Sequence, residues 1–183
     1  MTHANNPRVL VTGASGGAGS IGLAILKQIG YTNVTAMIRK DDQEELVKKL
    51  GATDILWAQD IDEKRPLISQ KYDFILDTVG GEVAAILIPQ IQANGSFAMC
   101  GNAGGVELNT TVLPFILRGI NILEINTIFI SHDYRLELWE KMATDWNVVD
   151  KLVSSTVKLE EMTETVNNIK NEVHLGRTII EIN

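Results

Sequence analysis

The chain has 183 residues, a formal net charge of -7, a hydrophobic fraction of 45% and a charged fraction of 21%. That length suits one domain with a substantial core, and the acidic balance, with no basic patch to offset it, excludes nucleic acid as a main partner. The single cysteine, Cys100, excludes an intramolecular disulfide and a multi-cysteine zinc site and fits a reducing cytoplasm.

The start, Met1 to Pro7, is polar and lacks the apolar core of a signal peptide. The longest apolar tract, Val112 to Ile125, is broken by Arg118 and Asn121 and is too short to span a bilayer, so no membrane association is expected. His3, His132 and His174 stand far apart, without the spacing of metal ligands, and no metal is expected.

Val9-Leu10-Val11 is a short apolar run rich in Val that ends at once in Thr12-Gly13-Ala14-Ser15-Gly16-Gly17-Ala18-Gly19-Ser20. This predicts a buried parallel strand followed by a tight turn. From Ile21 to Ile29, apolar residues at Ile21, Ala24, Ile25, Leu26 and Ile29 keep the spacing of a helix lying on a sheet. Glycines between a strand and a helix let the backbone approach a diphosphate, whose charge is met by the N–H groups of the helix start. The turn reads either as G-x-G-x-x-G with Ala14 in the first glycine position, or as T-G-x-x-x-G-x-G. Both patterns belong to nicotinamide-cofactor enzymes. Ser15, Gly16, Gly17, Ala18, Gly19 and Ser20 are the candidate diphosphate-binding residues.

Asn33 to Ile38 reads as a second strand, ending at Arg39-Lys40. At this place, about 20 residues past the glycine turn, an acid would hydrogen-bond the ribose of NAD, and an arginine would accommodate the 2′-phosphate of NADP. A guanidinium there favours the phosphate dianion through charge-assisted hydrogen bonds. Arg39 and Lys40 therefore favour NADP(H). Asp41 or Asp42 is expected to cap a helix from Gln43 to Leu50, which Gly51 closes.

Thr53 to Trp57 is a third strand, Asp60 to Gln70 a polar connection, and Tyr72 to Asp77 a fourth strand running into Thr78-Val79-Gly80-Gly81. In a doubly wound sheet that strand lies on the far side of the first, so Thr78 and Val79 border the cofactor crevice. A helix from Glu82 to Ile91 and a fifth strand, Gly95 to Cys100, lead to a second glycine cluster, Gly101-Asn102-Ala103-Gly104-Gly105. Cys100 is expected to be a small buried apolar residue. Thr110 to Arg118 is a helix stopped by Gly119. Ile120 to Asn126 is a sixth strand at the sheet edge, suited to pairing with a second chain. Helices from Asp133 to Trp146 and from Leu159 to Val173, and a closing strand from Thr178 to Ile182, complete the chain.

The runs Val9 to Ser20, Leu50-Gly51-Ala52, Asp77-Thr78-Val79-Gly80-Gly81, Pro114-Phe115-Ile116-Leu117-Arg118-Gly119 and Gly176-Arg177-Thr178 together resemble one family. It is the cofactor-binding half of the zinc-independent medium-chain dehydrogenases/reductases, quinone-oxidoreductase-like, and most closely their acrylyl-CoA reductase branch. The Pro-Phe-Ile-Leu-Arg-Gly run is the most specific to that branch.

The resemblance implies an α/β Rossmann fold, a doubly wound parallel sheet of about six strands in the order 3-2-1-4-5-6 with a C-terminal helix and strand. It implies NADPH-dependent reduction of an activated carbon–carbon double bond in an enoyl thioester or enone, with dimerisation through the sixth strand. Carried over by position, Ser15 to Ser20 cradle the pyrophosphate, Arg39 and Lys40 the 2′-phosphate, and Gly101 with Asn102 the nicotinamide side. Members often have Ser or Thr with Gly before the basic residue, where this chain has Met37-Ile38. They also begin with a substrate lobe of comparable size that this sequence does not show. Residues 1–158 are then an NADP(H)-binding Rossmann domain, and 159–183 a tail that would rejoin such a lobe.

Three other readings compete. A short-chain dehydrogenase needs a lysine four residues after a tyrosine, but Thr35, Leu76 and Leu138 follow Tyr31, Tyr72 and Tyr134 at that spacing. A module that binds NADP(H) and dimerises without catalysing anything is the alternative of a different kind. A triphosphate-binding loop fails because no Gly-Lys-Ser/Thr follows the glycines.

Overall fold

The computed structural model describes residues 6–61, 65–171 and 173–182. His3, residues 62–64 of the polar connection, and Glu172 and Asn183 of the tail lie outside the described residues.

β1 (Val9–Val11) is buried on both faces and sits in the middle of the sheet. Its neighbours are β2 (Val34–Ile38) and β4 (Tyr72–Asp77); β3 (Asp54–Trp57), β5 (Ile91–Met99) and β6 (Asn121–Glu124) complete a six-stranded sheet in the order β3-β2-β1-β4-β5-β6. All its pairings are parallel. Parallel strands need crossovers that cover both faces, so the central strands are apolar at successive positions, each face feeding its own core. Val9, Val11, Val34, Ala36 and Ile38 pack with Leu23 and Ala24 of α1 (Gly17–Gln28) and with Val47 and Leu50 of α2 (Glu44–Leu50). Leu10, Met37, Ile75 and Phe97 face the other way, against Ala84 and Leu87 of α3 (Gly81–Leu87). Burying a side chain such as Leu10 contributes about 2 kcal/mol.

The expected sheet order is observed, and the element ends differ for local reasons. α1 begins at Gly17 rather than Ile21, because the glycine turn itself provides the first helical turn. Leu23 joins the core, while Ile29 lies past the helix end and is exposed. Neither Asp41 nor Asp42 caps α2: both lie in a 3₁₀ turn, Asp41–Gln43, that precedes it. Gly51 ends α2 in the left-handed region, as expected, at φ 119°. α3 stops at Leu87, where Pro89 imposes a 3₁₀ turn, since proline lacks the N–H that a continuing helix needs. β5 begins earlier than expected, at Ile91, with Asn94 at φ 63° and a register shift against β4.

α4 (Leu113–Arg118) is short and ends at Gly119. Its Arg118 donates to the carbonyls of Pro89 and Ile68, both at 2.6 Å, and so ties α4 to the start of β5 and to the connection before β4. α5 (His132–Ala143) is capped by Ser131, whose hydroxyl accepts from the Tyr134 amide. Beyond it, β7 (Ser154–Lys158), α6 (Met162–Lys170) and β8 (Arg177–Glu181) form a βαβ unit with its own two-stranded parallel sheet. β7 is not among the expected strands, since it is polar and largely exposed.

Candidate functional site

The glycine turn is fixed by both neighbours of β1. The Thr12 amide donates to the Leu76 carbonyl at 3.0 Å and the Ala14 amide to the Met37 carbonyl at 3.2 Å. Gly13 takes φ 55°, where a Cβ would lie 2.4 Å from Thr78 Oγ1. α1 starts with Gly16 as an N-cap that makes no side-chain hydrogen bond, and its first turn carries no acid. The first-turn amides of Gly17, Ala18 and Gly19 have no intrahelical acceptor, and the helix dipole adds partial positive charge there. Such a helix start is built to receive an anion.

Ser15 is half-buried, and its carbonyl accepts from the Gly176 amide at 3.4 Å. Gly16 and Ala18 are exposed, Gly17 is half-buried, and Gly19 is buried. Ser20 is also buried, and its hydroxyl turns back to the Gly17 carbonyl at 3.3 Å, so Ser20 contributes packing and not a side-chain donor to the opening.

Arg177 is the functional candidate that residue spacing did not single out as part of the site. Its guanidinium lies on Gly17, where a Cβ would be 2.7 Å from Cζ and Nε. Two contacts bring β8 there: the Arg177 amide donates to the Val153 carbonyl at 3.0 Å, and the Gly176 amide reaches the Ser15 carbonyl. The only sequence signal was the Gly176-Arg177-Thr178 run. Arg39 and Lys40 follow β2 directly, two and three residues past Met37, whose carbonyl accepts from the turn. Arg39 is exposed and Lys40 half-buried.

On the other side of β1, the buried Asp77 ties three segments together. Its carboxylate accepts from the Thr12 hydroxyl at 2.6 Å, the Val79 amide at 3.3 Å and the Gly80 amide at 2.9 Å. Thr78 completes the junction: its amide donates to Thr12 Oγ1 at 2.9 Å, and its hydroxyl to the Thr12 carbonyl at 2.8 Å. The loops after β4 and β5 then meet backbone to backbone. The Gly104 amide donates to the Val79 carbonyl at 2.7 Å, and a Cβ on Gly101 would lie 2.0 Å from the Thr78 carbonyl oxygen. Thr78, Val79 and Gly101 are thus brought into one loop pair, with Asn102 exposed beside them. A cleft of about 470 Å³ opens next to that pair, between Gly81, Glu82, Gly105 and Glu107, away from the glycine turn.

Cys100 is not the buried residue expected. It is exposed, and its thiol donates to the Asp77 carbonyl at 3.2 Å. Local shielding of the sulfur, and then the Asp77 charge, push the thiol pKa up, so it stays protonated and weakly nucleophilic at neutral pH.

The family model described as zinc-binding dehydrogenase matches residues 17–144. Among the described residues no group of three or more His, Cys, Asp or Glu could hold a metal ion. The acrylyl-CoA reductase AcuI of Ruegeria pomeroyi is 36% identical over 189 residues, an alignment covering 100% of this chain and 56% of that protein. The putative quinone oxidoreductase YhfP of Bacillus subtilis is 35% identical over 95% of this chain and 54% of its own length. Its crystal structure with NAD bound has a TM-score of 0.88 at 34% identity, covering 96% of this chain and 54% of that one. The yhdH oxidoreductase from Salmonella enterica, solved in complex with NADP, has a TM-score of 0.91 at 34% identity, covering 97% of this chain and 55% of that one. The chain thus spans about half the length of the relatives it matches. Sheet order, glycine turn and these similarities agree, and the chain belongs to the medium-chain dehydrogenase/reductase family, matching its Rossmann cofactor-binding half.

Proposed function

We propose that the chain binds NADP(H) and forms the cofactor-binding half of a reductase of activated carbon–carbon double bonds, in an enoyl thioester such as acryloyl-CoA or in a quinone or enone. The observation that supports this most is the uncapped start of α1, held by Gly13 and Gly19, with Arg177 laid over Gly17. Of the run Ser15 to Ser20, the amides of Gly17, Ala18 and Gly19 receive the diphosphate and Arg177 adds a guanidinium to the same anion, whereas the Gly16 and Ser20 amides are already donated to the Gly13 and Gly16 carbonyls, both at 2.9 Å. Arg39 and Lys40 take the 2′-phosphate. Thr78, Val79, Gly101 and Asn102 border the nicotinamide half, and the bound nicotinamide supplies the hydride. Residues 159–183 rejoin a substrate lobe. A cytoplasmic setting fits the lone thiol, and no described helix is long and apolar enough to cross a membrane.

The relatives were solved with NADP in one case and NAD in another, so the choice between them rests on this chain's own residues. Arg39 and Lys40 lead us to expect NADPH to bind at least tenfold tighter than NADH, about 1.4 kcal/mol. Fluorescence titration with both nucleotides checks this, and equal affinities would remove the case for a 2′-phosphate site.

A second reading is a module that binds nucleotide without turning over. Positioning both reactants supplies much of a reductase's rate, and the residues described above belong to the nucleotide's side of that geometry. NADPH oxidation assayed with acryloyl-CoA and a simple quinone separates the two readings. Sustained turnover by the chain alone would overturn the second.

For assembly we propose a homodimer through β6. Its residues are all exposed, among them the apolar Ile122 and Leu123, and its outer edge offers unpaired backbone groups. Ile122→Asp is expected to give monomers in sedimentation velocity, and an unchanged profile would count against that interface.

A further inference from the structure

β2 ends at the buried Ile38, and the chain then turns sharply through Arg39 and Lys40 into the 3₁₀ turn Asp41–Gln43. One side chain organises that turn. Gln43 Oε1 accepts from the Arg39 amide at 3.0 Å and from the Lys40 amide at 3.3 Å, while the Gln43 amide donates to the Lys40 carbonyl at 3.1 Å. Gln43 is only 5% exposed, although exposed acids stand directly before it at Asp41 and Asp42.

Burying an amide at a surface turn is unfavourable unless its polar atoms are used, and here the carbonyl end holds consecutive backbone N–H groups of the basic pair. An acceptor that spans both amides fixes the direction in which Arg39 leaves the sheet. The acceptor is also uncharged. A carboxylate in its place could receive the same hydrogen bonds but would set a negative charge beside a site meant for a phosphate dianion. A guanidinium whose backbone is already fixed loses less freedom when it engages an anion, and this preorganisation raises affinity for the anion alone.

We propose that Gln43 is a positioning residue for cofactor discrimination: it holds the Arg39-Lys40 backbone so that the guanidinium meets the ribose 2′-phosphate. The inference rests on the NADP(H) reading above. Gln43 touches no nucleotide and acts through Arg39.

The test is titration of the full chain with NADPH and NADH for the wild type, Gln43→Met, Gln43→Asn, Arg39→Ala and the Arg39→Ala/Gln43→Met double variant. Met has a similar length and no comparable acceptor; Asn is polar but one methylene short, and covers the case in which Met will not sit in the turn. Both Gln43 variants should loosen NADPH about tenfold, the scale of one charge-assisted contact, and leave NADH within about twofold. The double variant should bind NADPH no more weakly than Arg39→Ala alone.

A Gln43 that merely stabilises the fold would loosen both nucleotides by the same factor, or its effect would add to that of Arg39→Ala; either result overturns the inference. So does retention of the NADPH preference in both Gln43 variants while Arg39→Ala abolishes it, and that result leaves the cofactor reading standing. A wild type without the preference overturns both.

Discussion

Asp77→Ala is expected to destabilise the chain by about 3 kcal/mol, because it strips a buried acceptor from the Thr12 hydroxyl and the Val79 and Gly80 amides at once. Asp77 is 0% exposed, so no water replaces the lost partner without opening the structure. Each orphaned donor costs on the order of 1 kcal/mol or more, and hydrogen bonds to a charged acceptor are the stronger kind. For a domain of this size the loss corresponds to a fall in Tm of about 10 °C. Asp77→Asn should cost less. Its carbonyl can still accept, and the Thr12 hydroxyl can rotate to accept from the new amide, but one backbone N–H is left facing an NH₂ group. Urea denaturation of the three proteins checks the order wild type, Asn, Ala. An Ala variant within about 1 kcal/mol of wild type would show that the junction between β1 and the two loops does not depend on the carboxylate. Because the same carboxylate spaces the glycine turn from the loop after β4, nucleotide affinity should fall along with stability.

That dependence explains why the sheet could be read from the residues and part of the site could not. β1, β2 and β4 are continuous apolar runs bounded by glycine or polar residues, the mark of strands buried on both faces. The glycines of the first turn are separated by short spacings within one segment, so their purpose is visible locally. Arg177 stands far along the chain from Gly17, and it is brought to the helix start by the pairing of β8 with the polar β7 and by the Gly176 amide on the Ser15 carbonyl. β7 carries Ser154, Ser155 and Thr156 with a single half-buried Val157, so it has no hydrophobic alternation to read. By its sequence Gln43 reads as an ordinary helical residue, because a side chain that reaches back to amides three and four positions earlier leaves no trace in composition. Cys100 departs from its expected burial for a related reason. It follows the buried Phe97 and Ala98 at the end of an apolar strand, but the strand stops at Met99 and the loop lifts Cys100 to the surface.

The sharpest separation between folding and binding is expected from two alanines in the same helical turn. Alanine is favoured over glycine in a helix by about 1 kcal/mol, so neither substitution is unfavourable for the helix as such. At Gly19 a Cβ would lie 2.3 Å from the Gly13 carbonyl oxygen and 2.8 Å from Ala14 Cα, both backbone atoms of the turn that α1 packs against. Nothing there can swing aside. The helix has to lift away from β1, and overpacking of this kind costs about 1–3 kcal/mol. The lift also moves the first-turn amides off the diphosphate, and losing two charge-assisted hydrogen bonds weakens NADPH about a hundredfold. At Gly17 the new methyl meets the Arg177 guanidinium at 2.7 Å, the far end of a flexible side chain that can rotate away. Gly17→Ala should therefore melt within a few degrees of wild type, the range for changes of about 1 kcal/mol or less in a chain of this length. Its NADPH affinity should drop about tenfold, the share carried by the displaced guanidinium. Thermal melts and NADPH titrations on the two variants decide the matter. If Gly19→Ala bound NADPH as tightly as wild type, close approach of α1 to the turn would not be what holds the amides on the anion. If Gly17→Ala left affinity untouched, Arg177 would have no part in the site.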